Sequence, residues 1–162
     1  MPPSLLLRRL IKVWSAPNQP GKVRPGAAQS EIDAFEARYG VRLPLDLRDY
    51  LRAVNGMDSG NTDSQMTNFW GLDRIQPAPL YCHGGKGAYP DAEAARYFIL
   101  CDIMIDSFWY TIRLTDDPAG PSPIVVWGIE EEPGVVARSF TEFLEAYLQD
   151  PGVLPSGMMR LQ

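Results

Sequence analysis

The apolar positions change period along the chain. Near the N-terminus, Leu6, Leu7, Leu10, Ile11 and Trp14 recur at helical spacing and predict a short helix docked on the core. Residues 15–28 are rich in Pro, Gly and small side chains and read as a connector. Ser30-Glu31-Ile32-Asp33 then resembles a capping box with Asp in the Glu/Gln slot. Ile32, Phe35 and Tyr39 follow on one face, and Gly40 is the expected stop, giving a helix over 30–39. Leu43-Pro44 announces a second helix over 44–54, with Leu47, Tyr50, Leu51 and Val54 as its stripe and Asn55-Gly56 closing it.

Residues 57–68 are polar and read as a loop, and Phe69–Ile75 as a short strand with a following turn. Residues 76–94 carry prolines and Gly84-Gly85-Lys86-Gly87, and no element is assigned to them. A β section follows. Strands are predicted at Tyr97–Cys101, Phe108–Leu114, Ile124–Gly128 and Val135–Arg138. Phe108, Tyr110, Ile112 and Leu114 alternate with Trp109, Thr111 and Arg113, so Trp109 faces away from the expected core. The connection through Ile103-Met104-Ile105 is more apolar than an ordinary turn. Ser139-Phe140-Thr141-Glu142 is a capping box for a last helix over 140–149, and residues 152–162 look like a tail. Helices, then strands, then a helix indicate an α+β fold. We expect a mostly antiparallel sheet of four to six strands, with the helices largely on one face. Phe35, Tyr39, Leu47, Tyr50, Leu51, Phe98, Tyr110, Val126, Phe140 and Leu144 are the expected core. The expected division is an N-terminal helix and connector (1–29), a main domain (30–150) and a tail (151–162).

Charge adds a direction to this picture. The net charge is −5 over 162 residues. Residues 1–30 carry five basic groups and no acid, which leaves 10 basic and 20 acidic residues in the rest. An acidic body repels phosphate backbones and argues against nucleic-acid binding, while it attracts a basic partner. No apolar run approaches the roughly 18 residues of a membrane span. The N-terminal apolar stretch is broken by Arg8-Arg9 and lacks a signal-peptide core. With only two cysteines, Cys82 and Cys101, and no need for a disulfide framework, a cytoplasmic protein is expected.

Candidate chemistry is sparse. His83 is the sole histidine and lies in a Gly-rich loop without a nucleophile elbow. Adjacent Cys82 and His83 cannot easily converge on one ion, and no second pair follows. The stretch Asp58–Asp63 lacks the glycine position and the twelfth-position Glu of a calcium loop. Gly84–Gly87 lacks P-loop spacing. Asp102 and Asp106 read equally as a carboxylate pair or as exposed turn residues. No catalytic residue, metal site or cofactor is assigned.

Ile32-x-x-Phe35-Glu36-x-x-Tyr39-Gly40-x-x-Leu43-Pro44-x-Asp46-Leu47-x-x-Tyr50-Leu51-x-x-Val54-Asn55-Gly56 resembles the SUKH superfamily, the group named for the fungal Smi and Knr cell-wall regulators. Phe69-Trp70-Gly71-Leu72-Asp73-Arg74-Ile75, Asp102-x-x-Ile105-x-x-x-Trp109-Tyr110-x-Ile112 and Val135-x-x-Arg138-Ser139-Phe140-x-x-Phe143-Leu144 are similar to later segments of that pattern, in the same order. This chain departs from it at Ile103-Met104-Ile105, where many members carry a Gly/Asp-rich turn. The resemblance implies a non-catalytic protein-binding domain, of which bacterial members look like immunity proteins against secreted toxins. Such toxins are often basic nucleases, which the acidic body suits. Two alternatives stay open: a small hydrolase or metal-dependent enzyme using His83 with Asp102 or Asp106, and a regulatory scaffold like the fungal relatives.

The motif residues have structural readings, with Glu36 as a polar anchor for the loop before Leu43. Binding is therefore expected in loops and exposed strand faces. The candidates are Asp58, Asp63, Asp73, Asp102, Asp106, Asp116, Asp117, Glu130, Glu131 and Glu132, with Trp70 and Trp109 as aromatic anchors.

Overall fold

The computed structural model describes residues 3–17, 23–82, 91–128 and 134–149. In chain order the elements are α1 (Pro3–Trp14), β1 (Val23–Pro25), α2 (Gln29–Tyr39), α3 (Leu45–Ala53), β2 (Val54–Met57), β3 (Thr67–Phe69), α4 (Ala78–Tyr81), α5 (Asp91–Ala94), β4 (Tyr97–Ile103), β5 (Phe108–Arg113), β6 (Ile124–Trp127), β7 (Val135–Ala137) and α6 (Phe140–Gln149). Strands β3 to β7 form a five-stranded antiparallel meander in sequential order. The fold is α+β, as the period changes predict.

The register assigns the two faces of the sheet. Phe69, Cys101, Tyr110 and Val126 are successive cross-strand partners and share one face. There α6 lays Phe143 against Tyr110 and Phe69, and α3 lays Tyr50 against Phe140. Phe35 and Tyr39 of α2 pack on Phe98 of the same sheet. α1 adds Leu6, Leu10 and Trp14, spaced four residues apart and buried. Asn68, Asp102, Trp109 and Trp127 are likewise partners and lie on the opposite face. Trp70 and Tyr81, the latter from the single-turn α4, pack over that second face.

Several local expectations need correction. The connector over 15–28 contains β1, which pairs with β2 in a small second sheet. Asn55-Gly56 therefore belongs to a strand rather than a helix end: α3 stops at Ala53 and Val54 is already extended. Gly56 holds a positive φ of 66°, and a Cβ there would come within 2.6 Å of the Trp70 backbone. The strand expected at Phe69–Ile75 lies two residues earlier and is short. Gly71 to Ile75 instead form a turn, in which the Arg74 and Ile75 amides donate to the Gly71 carbonyl. Ser30 lies inside α2, and the reciprocal contact is made by Glu31, whose carboxylate accepts the Ala28 N–H at 2.7 Å. Tyr39 is half-buried, because Arg38 and solvent share its ring, whereas the other nine expected core residues are buried. The segment left unassigned holds α4 and α5.

Glu36 anchors the loop before Leu43. Its buried carboxylate accepts the Leu43 N–H at 3.0 Å, Arg48 Nη2 at 2.6 Å and Arg42 Nη1 at 3.3 Å.

Candidate protein-binding surface

The candidate acids separate into buried struts, paired surface groups and free surface groups. Asp63, expected at the surface, is buried. Its Oδ1 accepts the Gln65 and Thr67 amides at 2.8 and 2.9 Å, and its Oδ2 accepts the Tyr147 hydroxyl. That hydroxyl in turn accepts Trp14 Nε1–H at 2.9 Å, so one buried chain of hydrogen bonds joins α1, α6 and the loop before β3. Burial without water is tolerable because the carboxylate is fully engaged.

Asp102 is also buried. It accepts Trp70 Nε1–H at 2.7 Å on Oδ2 and the Asp106 amide at 3.4 Å on Oδ1. Trp70 itself is 1% exposed, so it fills the space under α4 rather than reaching a partner. Asp73 is exposed but bonded to Arg24 at 2.6 Å. Asp58 is exposed in the loop after β2. Asp116 and Asp117 are exposed between β5 and β6, where Asp117 Oδ1 accepts the Ala119 amide at 3.0 Å. Glu130, Glu131 and Glu132 lie outside the described residues, as does His83.

The structure thus brings together four of the candidates: Trp70, Asp102, Asp106 and Trp109. Around them stand residues that sequence reasoning missed. Tyr81 donates its hydroxyl to Asp106 Oδ2 at 2.8 Å, and Trp109 donates Nε1–H to Asp106 Oδ1 at 3.0 Å. The Tyr81 ring meets Trp70 at 4.9 Å and Trp109 at 6.2 Å, edge to face in both cases. Arg74 stacks its guanidinium 4.2 Å over Trp70 and donates to Asn68 Oδ1 at 2.8 Å. Partial burial, and then the Asp106 carboxylate, push the Tyr81 hydroxyl above its ordinary range, so it stays a donor at neutral pH. Burial, then Asp106, pushes the neighbouring Cys82 thiol up to about 12. Tyr81 sits in the Pro-rich stretch to which no element was assigned. For the residues missed, the sequence signals nearby are the alternation that puts Trp109 on the outer face and the apolar Ile103-Met104-Ile105.

This arrangement holds both carboxylates with neutral donors beside the half-buried rings of Tyr81 and Trp109. Asp102 and Asp106 spend their oxygens on indoles, a phenol and an amide. Among the described residues, no three His, Cys, Asp or Glu side chains are grouped to hold a metal ion.

A family model described as the SMI1 / KNR4 family (SUKH-1) matches residues 26–146. The chain belongs to this SUKH-1 family. The match covers α2 through most of α6 and leaves α1 outside it. SUKH proteins are generally non-catalytic, with immunity or Smi1/Knr4-like regulatory roles. No curated protein matches the chain. No helix among the described residues is long and apolar enough to cross a membrane.

Proposed function

We propose that this SUKH-1 chain is a cytoplasmic immunity-type protein that neutralises a basic toxin domain, such as a nuclease, by direct binding. It uses no cofactor and does no chemistry of its own. The observation that carries the reading is family membership joined to charge. The SUKH-1 core spans residues 26–146, and the chain after residue 30 carries twice as many acidic as basic residues. Such a field accelerates encounter with a cationic surface and occupies a phosphate-binding cleft as its natural ligand would. Exposed Asp58, Asp106, Asp116 and Asp117 contribute to that field, with Glu130, Glu131 and Glu132 proposed as further contributors.

The test is to search the adjacent reading frames for a toxin domain and to co-express the chain with it. The reading predicts that cells expressing the toxin alone stop growing and that this chain restores growth. Growth arrest undiminished by the chain would overturn the immunity role and leave the regulatory-scaffold reading in its place.

A further inference from the structure

The β4–β5 hairpin turns through Met104, Ile105 and Asp106, which hold φ of 53°, 56° and 59°. Three consecutive non-glycine residues in the left-handed region are costly, and a β-branched Ile there is a marked outlier. Gly, Asn or Asp would make the same turn with less strain. The surroundings fix the geometry. The Met104 amide donates to the Met66 carbonyl at 2.8 Å, the Ser107 amide to the Ile103 carbonyl at 3.0 Å, and Ser107 Oγ to the Met104 carbonyl at 2.9 Å. The strain serves no burial: Met104 is 53% exposed, Ile105 76% and neighbouring Met66 43%. What it accomplishes is to hold two large apolar side chains in water beside Asp106.

Asp106 is exposed, and both its oxygens are oriented by neutral donors, Tyr81 and Trp109. Among the described residues no cation forms an ion pair with it. Arg74, the nearby guanidinium, is engaged on Trp70 and Asn68. The charge is thus pre-oriented and, among the described residues, free of an ion pair, flanked by two half-buried aromatics already fixed in place. Aromatic anchors beside a desolvatable charge are the composition of an interface hot spot. Asp73, by contrast, is spent on Arg24, and Asp117 is turned into its own loop.

We propose that the hairpin tip, with Tyr81 and Trp109, is the partner-contact surface. It takes a protein segment that brings a Lys or Arg to Asp106 and an apolar side chain onto Met104 and Ile105. The inference rests on the reading of this chain as a protein-binding domain and deepens it by naming the surface.

The test pans a library of short random peptides displayed on phage against the full-length chain. Enriched clones are re-measured on Asp106→Asn, on the double variant Met104→Asn/Ile105→Gly, and, as a control, on Asp33→Asn, an exposed acid of α2 outside the proposed surface. The proposal predicts peptides that pair a basic with an apolar residue. It predicts a loss of roughly tenfold or more in affinity on each of the first two variants and none on the control. Thermal melting separates binding from folding: relief of strain makes the double variant melt higher than the parent. No enrichment, peptides without a basic residue, equal binding to all variants, or a lower melting temperature for the double variant would each overturn the proposal. Growth protection that the first two variants leave intact would remove the surface while keeping the immunity role. Variant-sensitive peptides without growth protection would keep the surface and remove that role.

Discussion

At the scale of single residues, the core contains two kinds of tyrosine. Tyr147 is a relay, accepting from Trp14 and donating to the buried Asp63 carboxylate. Tyr50 and Tyr110 bury hydroxyls that have no hydrogen-bond partner among the described residues. Removing a buried partner of a charged group costs its desolvation, whereas removing an unpartnered hydroxyl costs little. Tyr147→Phe should therefore destabilise by about 2 kcal/mol in urea unfolding. Tyr50→Phe and Tyr110→Phe should each change stability by less than about 0.5 kcal/mol or raise it. Equal losses at all three positions would contradict the relay. Sequence periodicity identified these rings as apolar volume in the case of Tyr50 and Tyr110. It had no means of finding the relay, since Trp14, Asp63 and Tyr147 are far apart in the chain and each reads locally as an ordinary helix or loop residue.

At the scale of elements, one helix supplies the cap of another. Asp46 lies in the first turn of α3, and its Oδ2 accepts the Thr141 amide and hydroxyl at 2.8 and 2.9 Å, tying together the N-termini of α3 and α6. Asp46→Ala should cost about 1–2 kcal/mol, the range of a strong N-cap, with Asp46→Asn recovering part of it in the same denaturation series. α5 is fastened to β5 through Glu93, which accepts Arg113 Nε–H at 2.6 Å. That bond lowers the Glu93 pKa in the folded state. Its contribution is therefore complete above the unfolded carboxylate range and fades as pH falls through the folded value. Glu93→Gln should cost about 0.5 kcal/mol at neutral pH, a discounted value for a partly exposed pair, and the difference from the parent should close in acid. Elements were legible wherever a face is buried for a whole helix or strand, as in α6 and β5. β1, β2 and β3 are three to four residues long and lack such a repeat. Their strand character comes from pairing with distant segments, which local pattern does not encode. The same reason hid the candidate surface: Trp109 was placed correctly on the outer face by alternation, but Tyr81 reaches it only through tertiary packing of α4.

At the scale of the whole molecule, a SUKH-1 core carries its long helices on one sheet face and the single-turn α4 with an aromatic–carboxylate cluster on the other. On the proposed reading, the acidic field and the hairpin tip divide the work of recognition: long-range charge sets how fast a basic partner arrives, and the tip sets how long it stays. Raising salt should slow association while leaving dissociation largely unchanged, because contacts within the tip are too close to be screened. The account is tested most directly by stopped-flow mixing of this chain with a catalytically inactivated toxin domain identified in an adjacent reading frame, at low and high salt. It predicts a one-to-one complex whose association rate falls as salt rises, and whose dissociation quickens when Asp106 becomes Asn. Absence of a complex at either salt concentration would contradict it.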